Sequence, residues 1–185
     1  PDLKGEVIPM KKYLLTLSDL CTGCKRCVYI CSAIKEGLFQ PGRARIHVSN
    51  FPAEGCSLPL ICFQCPKPEC LKACPEGAIS KNEQGIVLID PETCTGCKEC
   101  VAACSYGMIE VNSDDMAFKC DYCGGAPACV EECYSGAIIY DYPDKRQKKE
   151  RGFQMKHREK AYAPEIKRDC RSQNMLIRVR EATAV

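Results

Sequence analysis

The sequence predicts an α+β fold assembled from small repeated strand, loop and helix units and followed by a basic C-terminal tail. Three observations carry that reading. First, Cys94-Thr95-Gly96-Cys97-Lys98-Glu99-Cys100-Val101-Ala102-Ala103-Cys104 is a near copy of Cys21-Thr22-Gly23-Cys24-Lys25-Arg26-Cys27-Val28-Tyr29-Ile30-Cys31, with C-T-G-C-K shared letter for letter. Second, three cysteine groups exit through one pattern: Cys74-Pro-Glu-Gly-Ala-Ile79, Cys104-Ser-Tyr-Gly-Met-Ile109 and Cys133-Tyr-Ser-Gly-Ala-Ile138. A helix that ends at glycine and becomes a strand at the next apolar residues explains that repeat. Third, the charge balance changes along the chain. Residues 1–140 hold 13 Lys/Arg against 17 Asp/Glu, whereas residues 141–185 hold 13 against 7.

Taken in order, residues 1–11 contain Pro1, Gly5 and Pro9 and read as an extended arm. Lys12 to Leu17 has the β-branched and aromatic character of a short strand and delivers the chain into Cys21. After Cys31 a loop through Gly37, Pro41 and Gly42 leads to an alternating strand, Ala44 to Val48, and a turn at Pro52 and Gly55. The second group, Cys62 to Cys74, is spaced C-x2-C-x4-C-x3-C. Gly85 to Asp90 reads as a buried strand that Pro91 ends, directly before Cys94. Met108 to Val111 reads as a strand and Asn112 to Asp115 as a turn, ahead of Cys120 to Cys133, spaced C-x2-C-x5-C-x3-C. From Asp141 the chain is polar: Lys145 to Lys160 carries eight Lys/Arg and two acids, and Met175 to Val179 is the one apolar run. Forty-five such residues do not make a core of their own.

The 185 residues suit one large domain or two small ones, and 45% apolar with 27% charged content is ordinary for a soluble protein. The 18 cysteines are not ordinary. Disulfides belong to exported proteins, but no export signal or twin-arginine pair stands at the N-terminus, and no apolar run nears the roughly 20 residues that cross a bilayer. The expectation is a cytoplasmic protein with reduced, metal-bound cysteines. Structural zinc needs only C-x2-C knuckles. Here two groups add a third cysteine at the next interval of three, and all four end in C-x3-C. The C-x2-C-x2-C-x3-C run is the bacterial ferredoxin spacing, in which the fourth cysteine serves the other cluster of a pair. Four groups therefore predict four 4Fe-4S clusters held by sixteen thiolates: Cys21, Cys24, Cys27, Cys31, Cys62, Cys65, Cys70, Cys74, Cys94, Cys97, Cys100, Cys104, Cys120, Cys123, Cys129 and Cys133. Cys56 and Cys170 fall outside the pattern and read as inert, with Cys56 the nearer substitute ligand; His47 and His157 read as structural or solvated. The basic tail, sparse in aromatic residues, reads as a segment that docks on a partner subunit rather than on nucleic acid.

On these spacings, residues 12–140 resemble the four-cluster ferredoxin-like electron-transfer subunits of molybdenum and tungsten oxidoreductases and of related hydrogenase and carbon monoxide dehydrogenase systems. The resemblance implies two nested bacterial dicluster ferredoxin-like units, an inner one at about 60–112 and an outer one at about 12–59 plus 113–140, with residues 141–185 as the docking tail. It also implies crossed ligand sets: Cys94, Cys97 and Cys100 with Cys74; Cys62, Cys65 and Cys70 with Cys104; Cys21, Cys24 and Cys27 with Cys133; Cys120, Cys123 and Cys129 with Cys31. Proline commonly follows the last cysteine of such groups, yet only Cys74 has it here. With its basic extension the chain is most similar to small subunits paired with tungsten enzymes of the aldehyde oxidoreductase type, among them the iron-sulfur subunit of tungsten-dependent (class II) benzoyl-CoA reductase.

The implied function is a one-electron relay between a catalytic tungsten or molybdenum subunit and another redox carrier, without substrate chemistry, nucleic-acid binding or membrane insertion. No nucleotide-binding glycine fingerprint or acid-base constellation stands against this. Two other readings stay open: a free-standing polyferredoxin, which would be isolated as a monomer, and a zinc-dependent nucleic-acid binder, which would be colourless.

Overall fold

The first and last strands of the cysteine-rich region pair with each other. β1 (Tyr13–Thr16) runs antiparallel to β8 (Ile138–Asp141), with Leu14 opposite Tyr140 and Thr16 opposite Ile138. Between them the chain forms α1 (Arg26–Glu36), β2 (Ile46–Phe51), β3 (Cys56–Ile61), α2 (Glu69–Lys72), β4 (Ile79–Lys81), β5 (Val87–Ile89), α3 (Glu99–Ala102), β6 (Glu110–Val111), β7 (Ala117–Phe118) and α4 (Ala128–Glu131). This computed structural model describes residues 11–51, 56–145, 147–149, 151, 152 and 155. His157, Cys170 and the apolar run at 175–179 lie outside the described residues, as does nearly all of the N-terminal arm. Among the described residues the strands form four antiparallel two-stranded ribbons, β1-β8, β2-β3, β4-β5 and β6-β7. With short helices between ribbons, the architecture is α+β and ferredoxin-like.

Small ribbons have little apolar surface each, so they gather around two cores. One joins Leu14, Val28, Ile46, Ile61, Ile86, Tyr122 and Ile138 with Cys27, Cys120 and Cys129. The other joins Ile79, Val87, Ile109, Ala117 and Cys100, with Cys70, Cys74, Cys94 and Cys104 packed against it. Burying each such aliphatic side chain contributes roughly 1.5–3 kcal/mol. These cysteines are therefore part of the cores.

The duplicated sequence is a duplicated backbone. Gly23 and Gly96 both sit at φ +73°, and the residue two further on, Lys25 or Lys98, is left-handed at φ 60° or 65°. Each lysine then caps the N-terminus of the following helix. Glycine is needed at both positions for a second reason. A Cβ on Gly96 would lie 2.9 Å from the Asp115 carbonyl oxygen, and one on Gly23 would lie 2.5 Å from Ser57 Oγ.

Two expectations change. The glycine of the shared exit pattern does not end the helix: α2 stops at Lys72, and Gly77 (φ +67°) instead closes a turn by donating its N–H to the Cys74 carbonyl at 3.4 Å. Gly107 and Gly136 do the same at Cys104 and Cys133, at 2.9 and 3.0 Å. The turn reverses the chain so that Ile79, Ile109 and Ile138 enter the cores at 5%, 3% and 2% exposure. The first group lacks that glycine, so its helix α1 runs through Cys31 to a left-handed C-cap at Gly37, whose N–H bonds the Ala33 carbonyl at 2.9 Å. The second change is β3, unexpected because Pro59 cannot donate a ladder bond. It is tolerated in a ribbon of only two strands, where its partner is Val48 of β2.

Candidate metal centres

Thiols distant in sequence meet in four groups. The Cys27 thiol is pushed up to about 12, first by burial and then by the neighbouring thiols of Cys21, Cys133 and Cys24. Burial likewise raises Cys65 and Cys70 to about 11, with Cys62 and Cys104 the next contributors that raise them. Cys100 is raised by burial and then by Cys94, Cys74 and Cys97. Cys129 is raised by burial and then by Cys31 and Cys123, and Cys120 is raised by burial with Cys62, Cys129 and Cys31 among its neighbours. The last cysteine of one motif thus neighbours thiols of another: Cys133 stands beside Cys27, Cys31 beside Cys129, Cys104 beside Cys65 and Cys70, and Cys74 beside Cys100.

Two of these groups rim open concavities. Cys74, Cys94, Cys97 and Cys100 line one of about 330 Å³ together with Ile79, Ile89 and Ala117. Cys31, Cys120, Cys123 and Cys129 line one of about 360 Å³ together with Leu14, Ile46 and Tyr122. A cradle of four thiols on an apolar floor fits a cuboidal iron-sulfur cluster, whose corners are taken by thiolates and whose faces tolerate hydrocarbon. A metal held by thiolates displaces the thiol protons to solvent, so metal uptake here is coupled to proton release. Exposure follows the repeat: Cys24 and Cys97, the second cysteines of the two C-T-G-C runs, are exposed, while the third ones, Cys27 and Cys100, are buried.

Hydrogen bonds to sulfur come from the backbone that the turns present. The Arg45 N–H donates to Cys31 Sγ at 3.2 Å and the Met108 N–H to Cys104 Sγ at 3.4 Å, while the Ser135 hydroxyl lies 3.7 Å from Cys133 Sγ. Such bonds stabilise the more negative state of a thiolate centre and so tune its potential.

Residues that sequence reasoning passed over also stand at these loops. Gln64, between Cys62 and Cys65, is 1% exposed; its Nε2 donates to the Cys120 carbonyl at 2.7 Å and its Oε1 accepts the Val87 N–H at 2.7 Å. Lys119 is 5% exposed and donates to the carbonyls of Val87 and Cys120. Only its position directly before Cys120 could have drawn attention to it. His47 pairs with Glu110 at 2.5 Å, which joins β2 to β6. The backbone of Cys56 pairs with that of Phe51 in the β2-β3 ribbon. At the start of the tail, the Asp144 N–H donates to Gln147 Oε1 at 2.9 Å and the Gln147 N–H to Asp144 Oδ1 at 2.6 Å, a capping box that starts a helical turn. That turn carries Arg151, whose guanidinium donates to the Phe63 carbonyl and lies 4.1 Å from the centre of the Tyr13 ring.

Comparison with known proteins adds the family. Residues 54–142 match a 4Fe-4S dicluster domain, and residues 18–34 a 4Fe-4S binding domain. The polyferredoxin-like subunit of the aliphatic sulfonate oxidoreductase of Pyrococcus furiosus is 37% identical over 133 residues, 70% of this chain and 76% of that one. A subunit of the anaerobic dimethyl sulfoxide reductase of Escherichia coli is 33% identical over 154 residues, 71% of this chain and 74% of that one. Among solved structures, a chain of the BamBC active-site complex of benzoyl-coenzyme A reductase with benzoyl-CoA aligns over 85% of this chain and 94% of its own, at 23% identity and a TM-score of 0.44. Among the described residues no helix is long and apolar enough to cross a membrane. The cysteine motifs, the matched 4Fe-4S domains and the two sequence relatives agree: the chain belongs to the 4Fe-4S ferredoxin-like iron-sulfur subunits, the electron-transfer subunits of the molybdenum and tungsten oxidoreductases.

Proposed function

We propose that this chain holds four 4Fe-4S clusters in crossed ligand sets and relays single electrons between a catalytic tungsten or molybdenum subunit and a second redox carrier, working in the cytoplasm. The sets are Cys21, Cys24, Cys27 with Cys133; Cys120, Cys123, Cys129 with Cys31; Cys62, Cys65, Cys70 with Cys104; and Cys94, Cys97, Cys100 with Cys74. The observation that carries this is the crossed lining of the two concavities, each by three cysteines of one motif and the last cysteine of another. A 4Fe-4S cluster, when bound, takes up and releases one electron. The chain's own residues supply everything else: sulfur ligands, N–H donors that set potentials, and apolar walls that keep water from the sites.

The same neighbours suggest an order for the relay. Cys27 of the first set is close enough to Cys129 of the second to affect its thiol, and Cys120 of the second set is likewise affected by Cys62 of the third. The third and fourth sets share the core in which Cys70, Cys74, Cys100 and Cys104 pack. The exposed Cys24 and Cys97 then belong to the two end sets, where electrons enter and leave. In this reading the chain performs no substrate chemistry. The region 12–140 acts as two nested units, with residues 141–185 beginning a segment that docks on the partner.

Replacement of Cys104 by alanine tests the crossing. It should disturb the centre held by Cys62, Cys65 and Cys70 and leave the one held by Cys94, Cys97 and Cys100 fully ligated, as read from paramagnetic spectra of the reduced protein. Loss confined to the Cys94 centre would contradict the crossed sets.

A further inference from the structure

Cations stand beside all four thiol groups, but they are not equivalent. Arg26 neighbours Cys24 and is bound to Glu132 at 2.7 Å. Lys35 and Arg45 line the Cys31 concavity and are bound to Asp121 at 2.6 Å and Glu36 at 3.1 Å. Lys98 lines the Cys74 concavity and is bound to Asp115 at 2.8 Å. Each of those charges is cancelled at close range by a carboxylate.

Around the Cys62, Cys65, Cys70 and Cys104 group the pattern is different. Lys11 donates to the Gly85 carbonyl and acts on Cys62, Lys81 donates to the Pro66 carbonyl at 2.6 Å, Lys119 acts on Cys70, and Arg151 acts on Cys65. Their partners are backbone carbonyls and the Tyr13 and Phe63 rings, which carry no charge. Among the described residues none of the four has a carboxylate at ion-pair distance. Partial burial, and then repulsion from Lys81, Arg151 and Lys119, already strain the positive state of Lys11, whose pKa is lowered to about 8. Four like charges are retained together only at the cost of that repulsion, and a strongly negative thiolate-ligated centre in their midst removes it.

We propose that Lys11, Lys81, Lys119 and Arg151 make the centre held by Cys62, Cys65, Cys70 and Cys104 the one of highest reduction potential in the chain. Taking an electron adds one negative charge there, and four cations without a carboxylate partner among the described residues favour that more than the neutralised pairs at the other three sites. An interior site of this kind acts as the electron well of the relay. Because Arg151 comes from the tail, the start of the tail is part of the redox machinery as well as a link to a partner.

The inference rests on the four proposed ligand sets, and the experiment separates the two. Potentiometric titration with paramagnetic detection is carried out on the cluster-loaded protein, purified anaerobically with the subunits that accompany it. The centre reduced first on lowering the potential should be the one whose signal is lost in both Cys70→Ala and Cys104→Ala. In Lys11→Gln/Arg151→Gln that same centre should become about ten-fold harder to reduce, ~59 mV for one electron, with the other centres within about two-fold. Glutamine keeps an N–H for the Phe63 carbonyl, and Lys149→Gln, on the exposed side of the same turn, should shift nothing. A different centre reduced first, or no selective shift in the double variant, overturns the charge assignment. If Cys70→Ala and Cys104→Ala abolish different centres, the ligand sets fail instead.

Discussion

Gln64→Leu tests how the cysteine loops are tied to one another. The side chain is buried at 1% exposure, and its two bonds of 2.7 Å join the Cys62–Cys70 loop to β5 through the Val87 N–H and to the last motif through the Cys120 carbonyl. Leucine fills a similar volume but leaves both backbone groups without a partner in the interior. Each such loss costs about 1–3 kcal/mol, and the added apolar burial returns about 1 kcal/mol. A net loss of roughly 3 kcal/mol, with a guanidinium slope of about 4 kcal/mol per M, lowers the unfolding midpoint by about 0.7 M. The assay is anaerobic guanidinium unfolding followed in parallel by far-UV circular dichroism and cluster absorbance, since coincidence of the two is required for a two-state reading. Lys72→Leu is the control. It breaks the exposed Lys72–Glu69 pair at 3.0 Å and should move stability by no more than about 0.5 kcal/mol. If Gln64→Leu moves the midpoint no further than Lys72→Leu, the bridge does not hold the loops together.

Gly96→Ala and Gly77→Ala both place alanine in a left-handed conformation, at φ +73° and +67°, at a cost of about 1–2 kcal/mol. Only at Gly96 does the new Cβ meet a backbone atom, so its midpoint should fall further by the equivalent of at least about 1 kcal/mol, and equal midpoints would remove the steric argument. At Asp121, burial opposes ionisation, but the Lys35 ammonium at 2.6 Å and the Cys123 N–H outweigh it and hold the carboxyl below its usual 3.8. A depressed carboxyl pKa adds stability that is present above the unfolded value and lost as pH falls through the folded one. The stability gap between the parent protein and Asp121→Asn should therefore be widest above about pH 4 and close in more acid solution, measured by denaturation at a series of pH values. A gap that widens on acidification would reverse the sign and contradict the ion pair. Finally, Cys56→Ser and Cys170→Ser should leave iron and sulfide content unchanged, whereas serine at Cys120, which is only 8% exposed, should lower it.

Much of the architecture was legible because cysteine motifs are local. The shared C-T-G-C-K letters became two loops with matching glycine and lysine torsions, and Lys12 to Leu17, Ala44 to Val48, Gly85 to Asp90 and Met108 to Val111 each contain or overlap an observed strand. β3 was not legible, since Pro59 reads as a break and is admitted only by the ladder of a two-stranded ribbon. The shared exit glycine was recognised, but its role was not: a one-turn helix already ends before the fourth cysteine, so glycine serves the turn after it. The sites divide in the same way. Sixteen candidate ligands follow from spacing alone, whereas the cations that gather at Cys62 come from positions 11, 81, 119 and 151, and no local pattern links them. Long-range electrostatics are legible only once the ribbons have closed.

The proposed relay requires that sixteen thiolates hold four 4Fe-4S clusters. Its most direct test is the iron, sulfide and zinc content of the anaerobically purified native protein, counted per chain together with its Mössbauer spectrum. The expected result is a brown protein with about 16 iron and about 16 sulfide per chain, all in 4Fe-4S form. A colourless protein that contains zinc alone, or iron that stops near eight per chain in a fully loaded preparation, would contradict it.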